Sequence, residues 1–367
     1  MTGPAAAPVS GRLRVGYLHL GRAESGVRRY GRIIAETAAH RSDVQVVESD
    51  AGGRDARAED IRRAVRRLRD TDVIHLQWKL ADWGGARWAL PHLEVALQAC
   101  RRPVVVTLHD VYERPTWQER WLEPTALGIR RLAFRSRTLV VHSAEERRRL
   151  SPLVAPSRMS IVPHFVEARP PLPDRDAAKA QLGLAGRPVI TLQGFMTKRK
   201  GHRLVLEALR TLPPEVFAIF AGSPIEGREA RGDELARSAL ELGVSERVRF
   251  TGYVPDAELT TIMAATDVAL CPFREMSASG SVSTWISTGR PIVTSGLPQF
   301  REYEALSPGA MRIVDPLTAE GLAERIRHTL AEAPPVDPAV QRLAGLLAAP
   351  RAVARYLDVY RIAAKGG

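Results

Sequence analysis

The sequence predicts an α/β protein built on two parallel sheets, and three observations carry that expectation. Segments rich in Val, Ile and Leu alternate with Arg- and Ala-rich helical segments throughout, as in parallel sheets covered on both faces. A chain of 367 residues is too long for one ordinary core. It suits two α/β domains of about 150 to 180 residues each. Two strand–loop–helix steps in the second half carry the marks of anion sites.

In chain order, residues 14–19 read as a first strand, and residues 21–31 run from a glycine loop into a helix. That loop has no Gly-x-Gly-x-x-Gly and is not a dinucleotide fingerprint. Residues 72–77, 104–110 and 139–143 read as further strands. Pro163 and the cluster over 169–174 mark a linker, residues 333–338 a loop, and residues 351–364 a last helix. Between these, residues 189–193 form a short apolar strand that opens into Gly194-Phe-Met-Thr-Lys-Arg-Lys-Gly201 before an amphipathic helix over 202–211. Two glycines there bracket Lys198, Arg199 and Lys200 at the carboxyl end of a strand, where open α/β sheets bind ligands. Such a loop, expected to be exposed, is able to neutralise a diphosphate; a solvated turn is the plain alternative. Residues 272–294 read as strand end, polar loop, helix, glycine stop and next strand. Ser279, Gly280 and Ser281 fall where that helix begins, so unpaired N–H groups, small hydroxyls and the positive end of the helix dipole converge on one point. Gly289 suits the position just past the helix end, and Pro291 restarts the chain as a buried strand.

Taken together, these residues resemble the retaining glycosyltransferases of family four, which have the GT-B fold of two Rossmann-like domains facing each other across a cleft. The donor domain of that family carries a Gly-Arg-Leu-x-x-x-Lys-Gly loop and a Glu-x7-Glu block before a helix that ends near Gly-x-Pro-Val-Val. Here the lysine of the first motif stands at Lys200, while its arginine position holds Phe195, and Lys198 or Arg199 is the candidate for the missing charge. Glu275 lies about where the first glutamate belongs, one residue out of register. Thr284 replaces the second, which in the family grips the ribose. The Ser-x-Ser-Gly sequence at 277–280 looks like a variant of the same block. The strands at 72–77, 104–110 and 139–143 are similar to those of the family's first domain, and residues 161–166 sit where the interdomain crossing begins.

The resemblance implies an acceptor domain over 1–166, a nucleotide-sugar donor domain over 167–345, and a helix over 346–367 that crosses back to the first domain. It implies that His109, Glu275 and Lys200 are catalytic: His109 faces the donor sugar, Glu275 holds its hydroxyls and Lys200 serves the leaving group. A structural, hydrogen-bonded histidine is the ordinary reading of His109, and a helix-entry acid that of Glu275. Lys198, Arg199, Lys200, Ser279, Gly280 and Ser281 would bind the diphosphate, with the backbone at Gly26 near its distal phosphate. Gly252, Tyr253 and Val254 would contact the base, with Thr284 at the ribose. Trp78, Trp83 and Trp117 either stack on an acceptor sugar or pack beneath a loop. The implied reaction moves a sugar from a nucleotide diphosphate sugar to an acceptor hydroxyl, without metal or cofactor, in secondary-metabolite or cell-envelope glycan synthesis. Phe195 and Thr284 motivate one rival, a catalytically silent GT-B protein that binds a sugar or a partner.

Charge is concentrated in the first half, where residues 1–166 carry 28 Lys and Arg against 18 Asp and Glu. Contact with anionic lipid, binding of nucleic acid and solvated arginines of a high-GC coding bias compete to explain it. No aromatic stripe or known motif accompanies the charge, which argues against nucleic acid. Residues 1–10 lack a basic region followed by an apolar core, and no window reaches about eighteen apolar residues. Cys100 and Cys271 lie in apolar surroundings and show no metal spacing. The expectation is a cytoplasmic, metal-independent protein, with peripheral membrane contact kept open.

Overall fold

The apolar runs of the first half form six parallel strands, β1 (Leu13–His19), β2 (Val44–Asp50), β3 (Val73–Trp78), β4 (Val104–Leu108), β5 (Thr138–Val141) and β6 (Met159–Ile161). Their order in the sheet is β2-β1-β3-β4-β5-β6. The computed structural model describes residues 12–21, 25–53, 55–80, 82–83, 88–111, 124–225, 227–332 and 334–365. Central strand β4 is buried along its whole length, whereas edge strand β2 exposes Gln45, Glu48 and Asp50. That contrast is what helices on both faces and solvent at one edge produce.

A second set of six strands repeats the plan: β7 (Val189–Gln193), β8 (Phe217–Ala221), β9 (Val248–Phe250), β10 (Val268–Cys271), β11 (Ile292–Ser295) and β12 (Met311–Val314), ordered β12-β11-β10-β7-β8-β9. The chain thereby divides into two units. One holds the described residues of Met1–Pro163 and Ala349–Gly367, and the other those of His164–Ala348. In each sheet the winding reverses beside the first strand, between β1 and β3 and between β7 and β10. Open α/β sheets bind ligands at the carboxyl ends of the strands flanking such a reversal.

The helix Ala349–Lys365 belongs to the first unit through buried tyrosines. The Tyr360 hydroxyl lies 2.7 Å from His75 Nδ1. The Tyr356 hydroxyl lies 3.1 Å from Thr107 Oγ1 and 3.2 Å from the Tyr30 hydroxyl. His75 Nε2 is 2.8 Å from Thr107 Oγ1. Burial pulls the His75 imidazole down to about 3, pushes the Tyr356 phenol up to about 12 and raises the Tyr360 phenol as well, so these three are neutral at pH 7. Neutral groups that satisfy one another are the form in which polar side chains are tolerated in a core.

This burial has a pH signature. His75 titrates near 6.5 once unfolded and about 3 when folded, so the unfolded chain takes up a proton that the folded chain refuses. Stability therefore falls as pH drops from about 6.5 toward 3, with a loss of about 2 kcal/mol from this residue at pH 5. His164 and His202 are depressed by burial in the same direction. Glu145 and the aspartates Asp43 and Asp60, also depressed, add their losses only below the ordinary carboxylate range. Melting curves between pH 7.5 and 5 should show a Tm that declines with acidification, and His75→Gln should flatten that decline while lowering Tm at neutral pH. A slope in the variant equal to that of the parent protein would contradict the assignment.

Candidate functional site

Strand β7 ends at Gln193 and turns through Gly194, at φ +116°, into the short turn Lys198–Lys200, which closes at Gly201, at φ +82°. Both positions require glycine for space as well as for backbone angle. A Cβ on Gly194 would stand 2.6 Å from Ser281 Oγ, and one on Gly201 would stand 2.4 Å from the Pro272 carbonyl oxygen. The loop after β7 is thus pressed against the segment leaving β10, its neighbour at the reversal. Arg274 N donates to the Arg199 carbonyl at 2.8 Å and adds to the contact.

Pressing the loops together brings their chemistry to one point. Lys200 Nζ donates to Ser281 Oγ at 2.8 Å and lies 3.9 Å from the centre of the Phe273 ring. Burial pulls the ammonium down to about 8, and Arg199 pushes in the same direction. Lys200 is therefore half-buried where an exposed residue was expected, because the close approach of Gly201 to Pro272 carries it inward, although Arg199 beside it stays exposed. Beside it the helix Gly280–Thr288 begins at Ser279, whose side chain makes no capping bond, and nothing stands within 4 Å of where a Cβ on Gly280 would be. Among the described residues no carboxylate pairs with Lys200. A cation and the positive end of a helix thus share one place with open space beside it, and an anion is the group that completes such a place. At its rim Glu275 Oε2 lies 3.4 Å from Arg199 Nη1. Lys198 and Phe195 are exposed.

The remaining positions expected in the donor domain lie along the same sheet edge. Gly252, at φ +69°, follows β9 and bridges Gly222, which follows β8. Tyr253 is 81% exposed, while Val254 is half-buried against the side chains around Leu184 and Val189. Thr284 is half-buried one turn along the helix from Gly280, and that helix stops at Gly289, at φ +69°.

In the first unit His109 follows β4, and its backbone N–H donates to the Trp78 carbonyl at 3.1 Å. Its ring is buried, with Nε2 2.7 Å from Gln77 Oε1 and ring centres of Tyr30 and His142 at 4.9 and 5.0 Å. Gly26 opens the helix Gly26–Ala39 and has open space beside it. The preceding Ser25 does not cap that helix; its hydroxyl donates to Asp82 Oδ2 at 2.8 Å. Two tryptophans need correction. Trp78 and Trp83 are 3% and 1% exposed, 5.3 Å apart in the core, and Trp83 Nε1 donates to the Gln77 carbonyl, so neither ring has a free face for a sugar. Trp117 lies outside the described residues. Sequence reasoning passed over Gln77, Phe273 and His142; a polar residue near the end of an otherwise apolar strand was the available signal for Gln77.

Among the described residues no cluster of His, Cys, Asp and Glu is placed to hold a metal ion, and no helix is long and apolar enough to cross a membrane. Two family models match the chain, Glycosyltransferase Family 4 over residues 21–169 and Glycosyl transferases group 1 over residues 187–332, together most of its length. A 2-deoxystreptamine glucosyltransferase of Streptomyces kanamyceticus is 27% identical over 232 residues, 58% of either chain. A D-inositol 3-phosphate glycosyltransferase of Nocardia farcinica is 29% identical over 230 residues, 59% of this chain and 49% of that one. The matched stretch spans about half the length of these curated relatives. The crystal structure of Anabaena HepE in complex with UDP superposes with a TM-score of 0.71 at 17% identity, covering 95% of this chain and 100% of that one. Two reversed six-stranded sheets and the two family matches lead to one conclusion: the chain belongs to the family 4, group 1 glycosyltransferases and has their GT-B fold.

Proposed function

We propose that this chain is a retaining, metal-independent glycosyltransferase that moves a sugar from a nucleoside diphosphate sugar to an acceptor hydroxyl. The observation that carries the reading is the Lys200–Ser281 contact at the β7/β10 reversal, set at the start of a helix with no side-chain cap. When the C1–O bond to the diphosphate breaks, negative charge grows on the departing oxygens. Lys200 and the first N–H groups of the helix Gly280–Thr288 stabilise that charge. Ser281 accepts from Lys200 and so keeps its own proton to donate to a phosphate oxygen. The acceptor oxygen bonds C1 on the face the phosphate leaves, and its proton passes to the departing phosphate. Glu275, held by Arg199, accepts from donor-sugar hydroxyls, and His109 contacts the same sugar. Gly26 lies by the distal phosphate, and Gly252, Tyr253, Val254 and Thr284 receive the nucleoside.

A uridine diphosphate sugar is the first donor to test, since the fold is shared with HepE, whose structure contains UDP. Two relatives are named for 2-deoxystreptamine and D-inositol 3-phosphate, both polyhydroxylated cyclohexane rings, which makes a cyclitol hydroxyl the first acceptor class. A secondary metabolite or an envelope glycan is the setting that fits such acceptors. Exposed Phe195, at the place of a family arginine, keeps a silent sugar-binding protein as the second reading. Turnover of any donor, including its hydrolysis, separates the two.

Lys200→Ala should lower turnover about a hundredfold or more, the scale of one strong contact to a developing oxyanion. Activity within a fewfold of the parent would remove the loop from the reaction. The lowered Lys200 pKa adds a second expectation. Free protein loses the ammonium as pH rises through about 8, so its affinity for UDP should weaken by about tenfold between pH 7 and 9. Lys200→Arg, charged throughout, should bind UDP with an affinity that is flat over the same range. Calorimetric titrations of both proteins check this, and parallel pH dependence in the two would contradict it. Gly280→Val should abolish UDP binding with little change in Tm, because its side chain enters space that nothing else fills. A retained UDP-induced thermal shift in that variant would place the anion elsewhere.

A further inference from the structure

The segment that joins β10 to the helix Gly280–Thr288 is pinned from two sides. On one side is the turn Lys198–Lys200. Arg274 N donates to the Arg199 carbonyl at 2.8 Å, and Gly201 passes so close that a Cβ there would stand 2.4 Å from the Pro272 oxygen. On the other side is the turn that leads from β11 into the helix Pro298–Leu306. Ser295 Oγ donates to the Phe273 carbonyl at 2.5 Å, and Gln299 Nε2 donates to the Met276 carbonyl at 3.2 Å. The Phe300 ring lies 6.0 Å from that of Phe273. Pro272 and Arg274 thus meet the first turn, while Phe273 and Met276 meet the second.

The direction of both side-chain bonds is fixed. A backbone carbonyl only accepts, so the hydroxyl of Ser295 and the amide NH2 of Gln299 are the donors. Ser295 is 3% and Gln299 4% exposed, and Phe273 and Met276 are buried with them. Burial keeps solvent from replacing either donor, and a buried carbonyl that loses a donor is destabilised. What the segment carries gives these bonds their consequence. The Phe273 ring is the surface on which Lys200 Nζ rests, at 3.9 Å. Glu275, between the two bonded carbonyls, reaches Arg199 at 3.4 Å. Ser279 begins the helix three residues beyond Met276. A shift of the segment away from β11 therefore moves the ring under Lys200 and the helix start beside it together.

We infer that Ser295 and Gln299 are positioning residues that hold the segment 272–279 against the Lys198–Lys200 turn and so set the place between Lys200 and the first N–H groups of the helix. The inference rests on the reading of that place as the diphosphate site given under Proposed function. Neither residue belongs to the turn or to the helix that meet there; each acts through a backbone carbonyl of the segment between them.

Gln299→Met keeps the length of the side chain and removes the donor, and Ser295→Ala removes the other donor with little change of volume. Calorimetric titrations with UDP and with uridine separate positioning from general loosening, because uridine has the nucleoside and no phosphate. Gln299→Met should bind UDP about tenfold more weakly, the scale of one buried hydrogen bond, with uridine within about twofold of the parent. Ser295→Ala should show the same pattern. UDP affinity unchanged in both variants, or a loss shared equally by uridine, overturns the inference. If Lys200→Ala weakens UDP while these two variants do not, the inference fails and the diphosphate reading stands. Spectra of the 15N-glycine-labelled chain, with Gly280→Ala used to assign the signal, read the helix start without ligand. The Gly280 amide should shift in both variants, and an unmoved signal overturns the inference even if the parent protein binds no UDP. If Gln299→Met does not fold, the same outcomes are read from Ser295→Ala alone.

Discussion

The donor of one hydrogen bond and the acceptor of the same bond lie on a turn and at a helix start that follow neighbouring strands at the reversal of the second sheet. Lys200 reaches Ser281 only because Gly194 and Gly201 carry no Cβ, and because β7 and β10 pair in parallel with their carboxyl ends on one edge. The contact brings a cation to the start of a helix, where the dipole also is positive. Two positive features held this close repel each other, and the Phe273 ring face and the Ser281 oxygen relieve the ammonium only in part. The arrangement is at its most favourable with an anion between them. In that sense the site has its charge arranged before any ligand arrives, which is the condition for electrostatic stabilisation without reorganisation.

The first unit has a different organisation. His109 is buried there, with its ring against Gln77, Tyr30 and His142. The helix at the end of the chain supplies Tyr356 and Tyr360 to that neutral cluster, which makes the last residues part of the support of the first sheet. Removing that helix would take away the Tyr360 partner of His75 Nδ1 and the Tyr356 partner of Thr107, a cost set by unpaired polar groups in a core.

Local signals were legible and long-range ones were not. The strand over Val189–Gln193 and the glycine stop at Gly289 follow from an apolar run and from a left-handed residue after a helix, both of which depend only on near neighbours. The two segments that meet at Lys200 and Ser281 were legible for the same reason, each with its own glycine and its own polar or charged pattern. What joined them was not. The approach of Gly201 to Pro272 depends on the pairing of strands some eighty residues apart, and it turns a loop read as exposed into one with Lys200 half-buried. Trp78 and Trp83 looked available because aromatic residues near a strand end resemble a sugar platform, yet the register Trp78↔Leu108 and the turn after β3 put both in the core. Gln77 escaped notice because its partner His109 meets it only after β3 and β4 align.

The central claim is that the place between Lys200 and the start of the helix Gly280–Thr288 holds the diphosphate of the donor. A crystal structure of the protein with uridine diphosphate tests it most directly. The account predicts phosphate oxygens within about 3 Å of Lys200 Nζ, Ser281 Oγ and the first backbone N–H groups of that helix, with the uracil toward Gly252, Tyr253 and Val254. UDP bound elsewhere in the molecule, with the Lys200–Ser281 contact undisturbed and no phosphate oxygen near it, would contradict it.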